Sequence, residues 1–138
     1  MPYMNRVSLL YTQIVLACIG LADSWYLAES AMSDTPLTCD IGGLTGCNTV
    51  AQSPYSHLFG IPLGVYGILF YALVFIFTLA ILRLAIAHLE RYLLLLTLAG
   101  AIASVVFILI QVFLIQALCV YCLLSSSPIL LVCCNGSC

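Results

Sequence analysis

Residues 92–138 read YLLLLTLAGAIASVVFILIQVFLIQALCVYCLLSSSPILLVCCNGSC, a run of 47 residues without Asp, Glu, Lys or Arg. As one helix it would be about 70 Å long at ~1.5 Å per residue. The hydrocarbon core of a bilayer is only ~30 Å thick. The run therefore turns back once, and the expected turn lies at residues 116–119. This gives two spans, 92–117 and a shorter one at 118–134. Upstream, residues 7–27 and 61–82 are each long and apolar enough to cross a membrane. The fold expected is an all-α membrane protein, a four-transmembrane-helix bundle. Its loop at 28–60 carries a short helix, and residues 1–138 form a single domain.

Composition agrees with this. Hydrophobic residues make up 64% of the chain and charged ones 6%, with a mean hydropathy of +1.24. Soluble domains run at roughly 45–50% apolar and 25% charged. A net charge of -2 and three arginines offer no basic patch, so nucleic acid is not an expected partner. Arg6 precedes the first span, and Arg83 and Arg91 flank the link between the second and third. All three fall on one side, which the positive-inside rule makes cytoplasmic. The 28–60 loop has Glu29, Asp34 and Asp40 and no Lys or Arg, and is placed outside. The turn at 116–119 falls outside with it. Arg6 followed by an apolar stretch and Gly20-Leu21-Ala22 also loosely resembles a cleavable signal peptide. The apolar segment continues past that point, which favours a retained span.

Within the loop, Ser53-Pro54-Tyr55-Ser56-His57 suits the start of a short helix, with Ser as N-cap and Pro at the first position. Gly60 and Gly64 form a small-xxx-small pair that would let a neighbouring helix approach; a bend after Pro62 is the other reading.

The chain has eight cysteines. Cys119-Val120-Tyr121-Cys122 is a C-x-x-C motif at the expected outer start of the fourth span. A helix N-terminus favours a thiolate, and a lowered thiol pKa speeds disulfide exchange. Cys39 and Cys47 lie in the outer loop, separated by a pliable stretch with Gly42, Gly43 and Gly46. The topology, set by arginines and hydropathy, puts both pairs on one face. Redox exchange between them is the leading reading. Two disulfides that merely staple loop and turn are an alternative. A four-cysteine zinc site is another, although zinc ribbons use two close-spaced pairs and Cys39-x7-Cys47 is not one. No metal is expected. Cys18, Cys133 and Cys134 sit in apolar sequence as small hydrophobes, and no role is assigned to them or to Cys138.

The series Cys39-Asp40-Ile41-Gly42, Cys47, Ser53, Phe59-Gly60 and Cys119-Val120-Tyr121-Cys122 resembles the vitamin K epoxide reductase family over residues 20–128. The resemblance implies a bundle around a quinone (ubiquinone, menaquinone or a relative), capped by the outer loop. It implies that Cys122 reduces the quinone, that Cys119 exchanges with Cys47, and that Cys39 meets an external thiol protein. Ser53 matches the serine that hydrogen-bonds a quinone carbonyl, and Asp40 an acidic residue beside the first loop cysteine. The vertebrate members place an asparagine early in span two, where this chain reads Ile61-Pro62-Leu63-Gly64. They also carry a tyrosine four residues after the C-x-x-C, where this chain has Ser126. Those departures argue against epoxide reduction. They favour the prokaryotic branch, which oxidises a separate or fused thioredoxin-like protein at the extracytoplasmic face of the cell membrane.

The function expected is thus thiol oxidation, with electrons passing through Cys39/Cys47 and Cys119/Cys122 to a membrane quinone. A vitamin K quinone or epoxide reductase and a non-enzymatic, disulfide-stapled subunit remain the alternatives. Gln111 and Gln116 are polar residues in span three that would face the bundle interior, at the quinone site or between helices. Phe107, with Phe113, Tyr66 and Tyr121, is placed to stack on a quinone ring or to anchor at the interface. His57 would relay protons or be solvated. His88 belongs to the cytoplasmic turn. Asp23, near the end of span one, would cap the bundle, serve proton traffic or be solvated.

Overall fold

The computed structural model describes residues 2–36, 49 and 52–116. Helix α1 (Pro2–Ser33) is followed, after an interval outside the described residues, by a single 3-10 turn (Pro54–Ser56). Two short strands come next, β1 (His57–Leu58) and β2 (Ile61–Pro62). Helix α2 (Leu63–Leu84) and helix α3 (Ala87–Ile110) complete the order, and α3 runs on into one π-helical turn (Gln111–Ile115). All three helices are long and apolar enough to cross a membrane, and the protein is an integral membrane protein. The expected fourth span at 118–134, and the part of the loop that holds Cys39 and Cys47, lie outside the described residues.

Helix α1 continues to Ser33, past the hydropathy boundary at 27. Its end is set by polar chemistry rather than by loss of apolar residues. Ser30 Oγ donates to the Thr35 carbonyl at 2.6 Å, and Ser33 Oγ donates to the Glu29 carbonyl. Asp34 then turns left-handed at φ 51. The Ser33 hydroxyl thus bonds back four residues within its own helix, and the Ser30 hydroxyl holds the Thr35 backbone just beyond the helix end. Helix α2 closes with Ala85 in the left-handed region, its N–H donating to the Ile81 carbonyl at 3.1 Å. Only residues 85 and 86 separate α2 from α3. A link that short makes neighbouring helices antiparallel. Helix α3 begins at Ala87, so His88 stands in its first turn, exposed, and not in a separate loop.

Helices α1 and α2 are antiparallel as well. Gly64 lies against Ser24 and Ala28, Gly67 against Ser24, and Gly20 against the ring of Tyr71. Further along, Ala17 shares a buried cluster with Val74, Ile81 and Leu93. The first turns of α1 therefore lie at the end of the bundle that carries Arg83 and Arg91. The β1–β2 hairpin caps the opposite end.

A Cβ on Gly64 would sit 2.6 Å from the Ala28 backbone nitrogen and 2.9 Å from the Ser24 carbonyl oxygen. Of the expected pair, Gly64 alone makes that close approach. A Cβ on Gly60 would meet nothing within 4 Å. Gly60 serves the hairpin instead: with φ 53 at Phe59 and φ 79 at Gly60, the two-residue turn has the left-handed pair of a type I′ connection. Large apolar side chains such as Leu69, Ile76, Ile102 and Leu109 point outward, as lipid-facing residues do.

The obstruction at Gly64 is backbone, which cannot rotate away. Gly64→Ala should destabilise the protein by about 1–3 kcal/mol, the usual cost of overpacking. Thermal unfolding in detergent checks this. An alanine variant as stable as the parent would contradict the close α1–α2 approach.

Candidate functional site

The hairpin end starts at Ser53, extended at φ -71 and ψ 153 in the N-cap position. The short helix expected there is one 3-10 turn. The Ser53 side chain makes no capping bond to it, so the capping role read from sequence does not hold. The Ser53 carbonyl takes that work over. It accepts from the Ser56 N–H at 3.0 Å and from Ser56 Oγ at 2.8 Å. Ser56 Oγ also lies 2.8 Å from Nδ1 of His57, which is exposed. Tyr66 Oη donates to the Leu58 carbonyl at 3.0 Å. It thereby ties β1 back onto α2, a structural task that the sequence did not suggest for it.

The same end receives the end of α3. Phe107 is half-buried, Gln111 is wholly buried at 0% exposure, and Gln116 is exposed. The two glutamines read together from sequence are thus separated. The π turn begins at Gln111, and the N–H of Gln116, left-handed at φ 56, donates back to the Gln111 carbonyl. A π turn adds a residue to the helical repeat and often marks a functional position. Phe113 is 71% exposed and faces outward; it does not line the interior.

Buried polar side chains divide along the bundle. Toward the arginine end are Gln13, Thr78 and Thr97. Thr78 Oγ1 donates to the Val74 carbonyl at 2.7 Å and Thr97 Oγ1 to the Leu93 carbonyl at 3.0 Å. Both hydroxyls are satisfied by their own helices. Toward the hairpin end are Asp23, Ser24, Ser104 and Gln111. Sequence reading placed Asp23 near a helix end, yet α1 continues ten residues beyond it, from 23 to 33, and Asp23 is 7% exposed. Ser24 and Ser104 were missed. The available signal was Gly20 and Ser24 one turn apart on the face that meets Tyr71 and Gly67. Cys18 is free and exposed on α1.

A quinone presents two carbonyl oxygens that accept hydrogen bonds. A buried carboxamide and two buried hydroxyls at one end of an apolar bundle are the donors that such a group takes, and an apolar surround suits its ring. The described residues fit a quinone at the hairpin end. Cys39, Cys47, Cys119 and Cys122 lie outside the described residues.

Comparison with known families matches most of the chain. The model described as "Vitamin K epoxide reductase family" covers residues 11–134. That span includes α1 from Tyr11, the hairpin, α2, α3 and the positions of all four cysteines. No curated protein matches the chain.

Burial separates the two glutamines experimentally. Gln111→Leu should cost about 1–3 kcal/mol, because its surroundings lose a buried polar group. Gln116→Leu should stay within about 0.5 kcal/mol, as exposed changes do. Equal effects in chemical or thermal unfolding would refute the placement of Gln111.

Proposed function

Since the chain belongs to the vitamin K epoxide reductase family, whose members are oxidoreductases, we propose that it is a quinone-dependent thiol oxidase of the prokaryotic type. It makes disulfides for a thioredoxin-like partner outside the cytoplasm. The observation that carries this reading is the family match itself. It extends over a chain with Cys39-x7-Cys47 in the loop sequence and Cys119-x-x-Cys122 beyond α3. The placement of the arginines at one end of the bundle, with Ser53 and Gln111 toward the other, supports an extracytoplasmic site.

In this reading a partner thiolate attacks the Cys39–Cys47 disulfide at Cys39. Cys47, released as a thiolate, attacks Cys119 and frees Cys122. Each exchange passes through a mixed disulfide, so the pairs must meet in turn. Cys119 follows Gln116 by three residues, just after the left-handed residue that closes the π turn. A bound quinone supplies the two-electron, two-proton sink that makes thiol oxidation effectively one-way. Gln111 and Ser53 donate hydrogen bonds that orient it, and Phe107 offers a ring face.

Stopped-flow absorbance of added quinone, with purified protein and a reduced thiol substrate, tests the proposal. Cys122→Ala should abolish quinone reduction with the thermal midpoint nearly unchanged. In a disulfide-stapled scaffold it would instead lower stability, with no turnover to lose. Cys39→Ala should lose oxidation of a protein dithiol yet keep quinone reduction by a small dithiol that reaches Cys119 directly. Absence of quinone reduction by the unmodified protein removes the enzymatic reading.

A further inference from the structure

Asp23 is the buried residue that the thiol chemistry above leaves unused. Among the described residues it is the one buried carboxylic acid. It lies in the interior of α1, about 15 Å before the helix ends at Ser33, at ~1.5 Å per residue. Three residues before it, Gly20 lies against the Tyr71 ring, and the next residue, Ser24, sits against Gly64 and Gly67. Asp23 is thus set beside the α1–α2 seam in the half of the bundle that buries Gln111 and Ser104. An aspartate at the centre of a membrane helix costs about 2.5–3.5 kcal/mol on insertion scales. A helix that only had to pack would do so better with Ala or Leu.

The surroundings hold little else that titrates. From α2 the neighbouring group is the buried phenol of Tyr71. The Tyr66 phenol is committed to Leu58. Helix α3 and its π turn carry no titratable side chain from Leu93 to Gln116. On α1 itself Tyr26 and Glu29 follow, both exposed. Outside the described residues the sequence carries further titratable groups, among them Cys39, Asp40, Cys47, Cys119, Tyr121 and Cys122.

Oxidising a dithiol to a disulfide releases two electrons and two protons, and forming a quinol takes up two of each. The electrons leave from sulfur. The protons must reach oxygen inside an apolar enclosure where water is scarce. We propose that Asp23 is the proton-holding group of this site: it gives up its proton toward the oxygen being reduced and regains one released by the oxidised dithiol. This deepens the thiol oxidase reading and rests on it.

The test uses the full chain in lipid nanodiscs and has two arms. Infrared difference spectra without quinone should show the carbonyl stretch of a protonated carboxylic acid at neutral pH, lost in Asp23→Asn. Pre-steady-state quinone reduction should fall roughly 10²-fold in Asp23→Asn, the lower range for loss of a general acid. The variant's pH profile should be flattened, and Asp23→Glu should restore both rate and profile. A structural role would leave the profile unmoved. The proposal is overturned if Asp23→Asn keeps the parental rate and profile, or if the carboxylic acid band survives the substitution. Should Asp23→Asn fail to fold, Asp23→Glu decides: a carboxylic acid carbonyl band that does not move in that variant sinks the idea. Failure of the parent protein to reduce quinone would instead strike the reading on which this one rests.

Discussion

The backbone contact between α1 and α2 is the constraint on which the rest of the molecule depends. In lipid, apolar side chains gain nothing by leaving the solvent for one another, so helices associate through close packing and polar contacts. Gly64 lets α2 come down on the backbone of Ser24 and Ala28, and Gly67 leaves room for the Ser24 side chain. Gly20 makes the matching recess for the Tyr71 ring. These contacts fix which residues of the two antiparallel helices stand side by side. Sliding one helix by a turn would drive Tyr71 into a residue larger than glycine. Asp23 and Ser24 are held in the interior by the same register.

Helix α3 is held by a different device. Residues 85 and 86 give it almost no freedom at the arginine end. In its middle Gly100 receives the ring of Phe70, which in turn meets Tyr71 edge-on at 5.3 Å between centroids. Three helices are thereby joined through one aromatic pair, with glycines on both sides of it. Beyond that point the π turn alters the helical phase, so the side chains after Gln111 do not continue the preceding faces. Gln111 is buried at the start of the turn while Val112, Phe113 and Leu114 are all exposed.

Much of this was legible in sequence because a membrane imposes few rules and enforces them strongly. Apolar runs long enough for a crossing suffice to read three membrane helices, and Arg83 and Arg91 mark the end of the bundle that also holds the first turns of α1. The helix ends were not legible from hydropathy. Helix α1 passes its last apolar residues and stops where Ser30, Ser33 and Asp34 supply local hydrogen bonds and a left-handed turn. Such bonds depend on three-dimensional geometry that composition does not carry. Gly60 and Gly64 look alike in sequence, yet one needs positive φ and the other needs room for a neighbour. Ser53 has the spacing of an N-cap, but a turn of one 3-10 repeat has its carbonyl bonded by Ser56 and no side-chain cap. The glutamines were told apart only by the π turn, which no periodicity announces.

The distribution of buried polar groups argues where chemistry belongs in this bundle. A threonine in a membrane helix can satisfy its hydroxyl on its own backbone, as Thr78 and Thr97 do, and such a residue needs no ligand to explain it. A carboxyl or a carboxamide has more hydrogen-bonding capacity than one helix turn can absorb. Asp23 and Gln111 come from different helices, and the antiparallel packing carries both toward the hairpin end. Beyond Gln111 the sequence arrives at Cys119 and Cys122. The arginine end also buries Gln13, and among the described residues it is bounded by a two-residue link with Arg83 and Arg91 exposed. The carboxyl of Asp23 and the carboxamide of Gln111 are therefore held toward the same end of the bundle, the hairpin end.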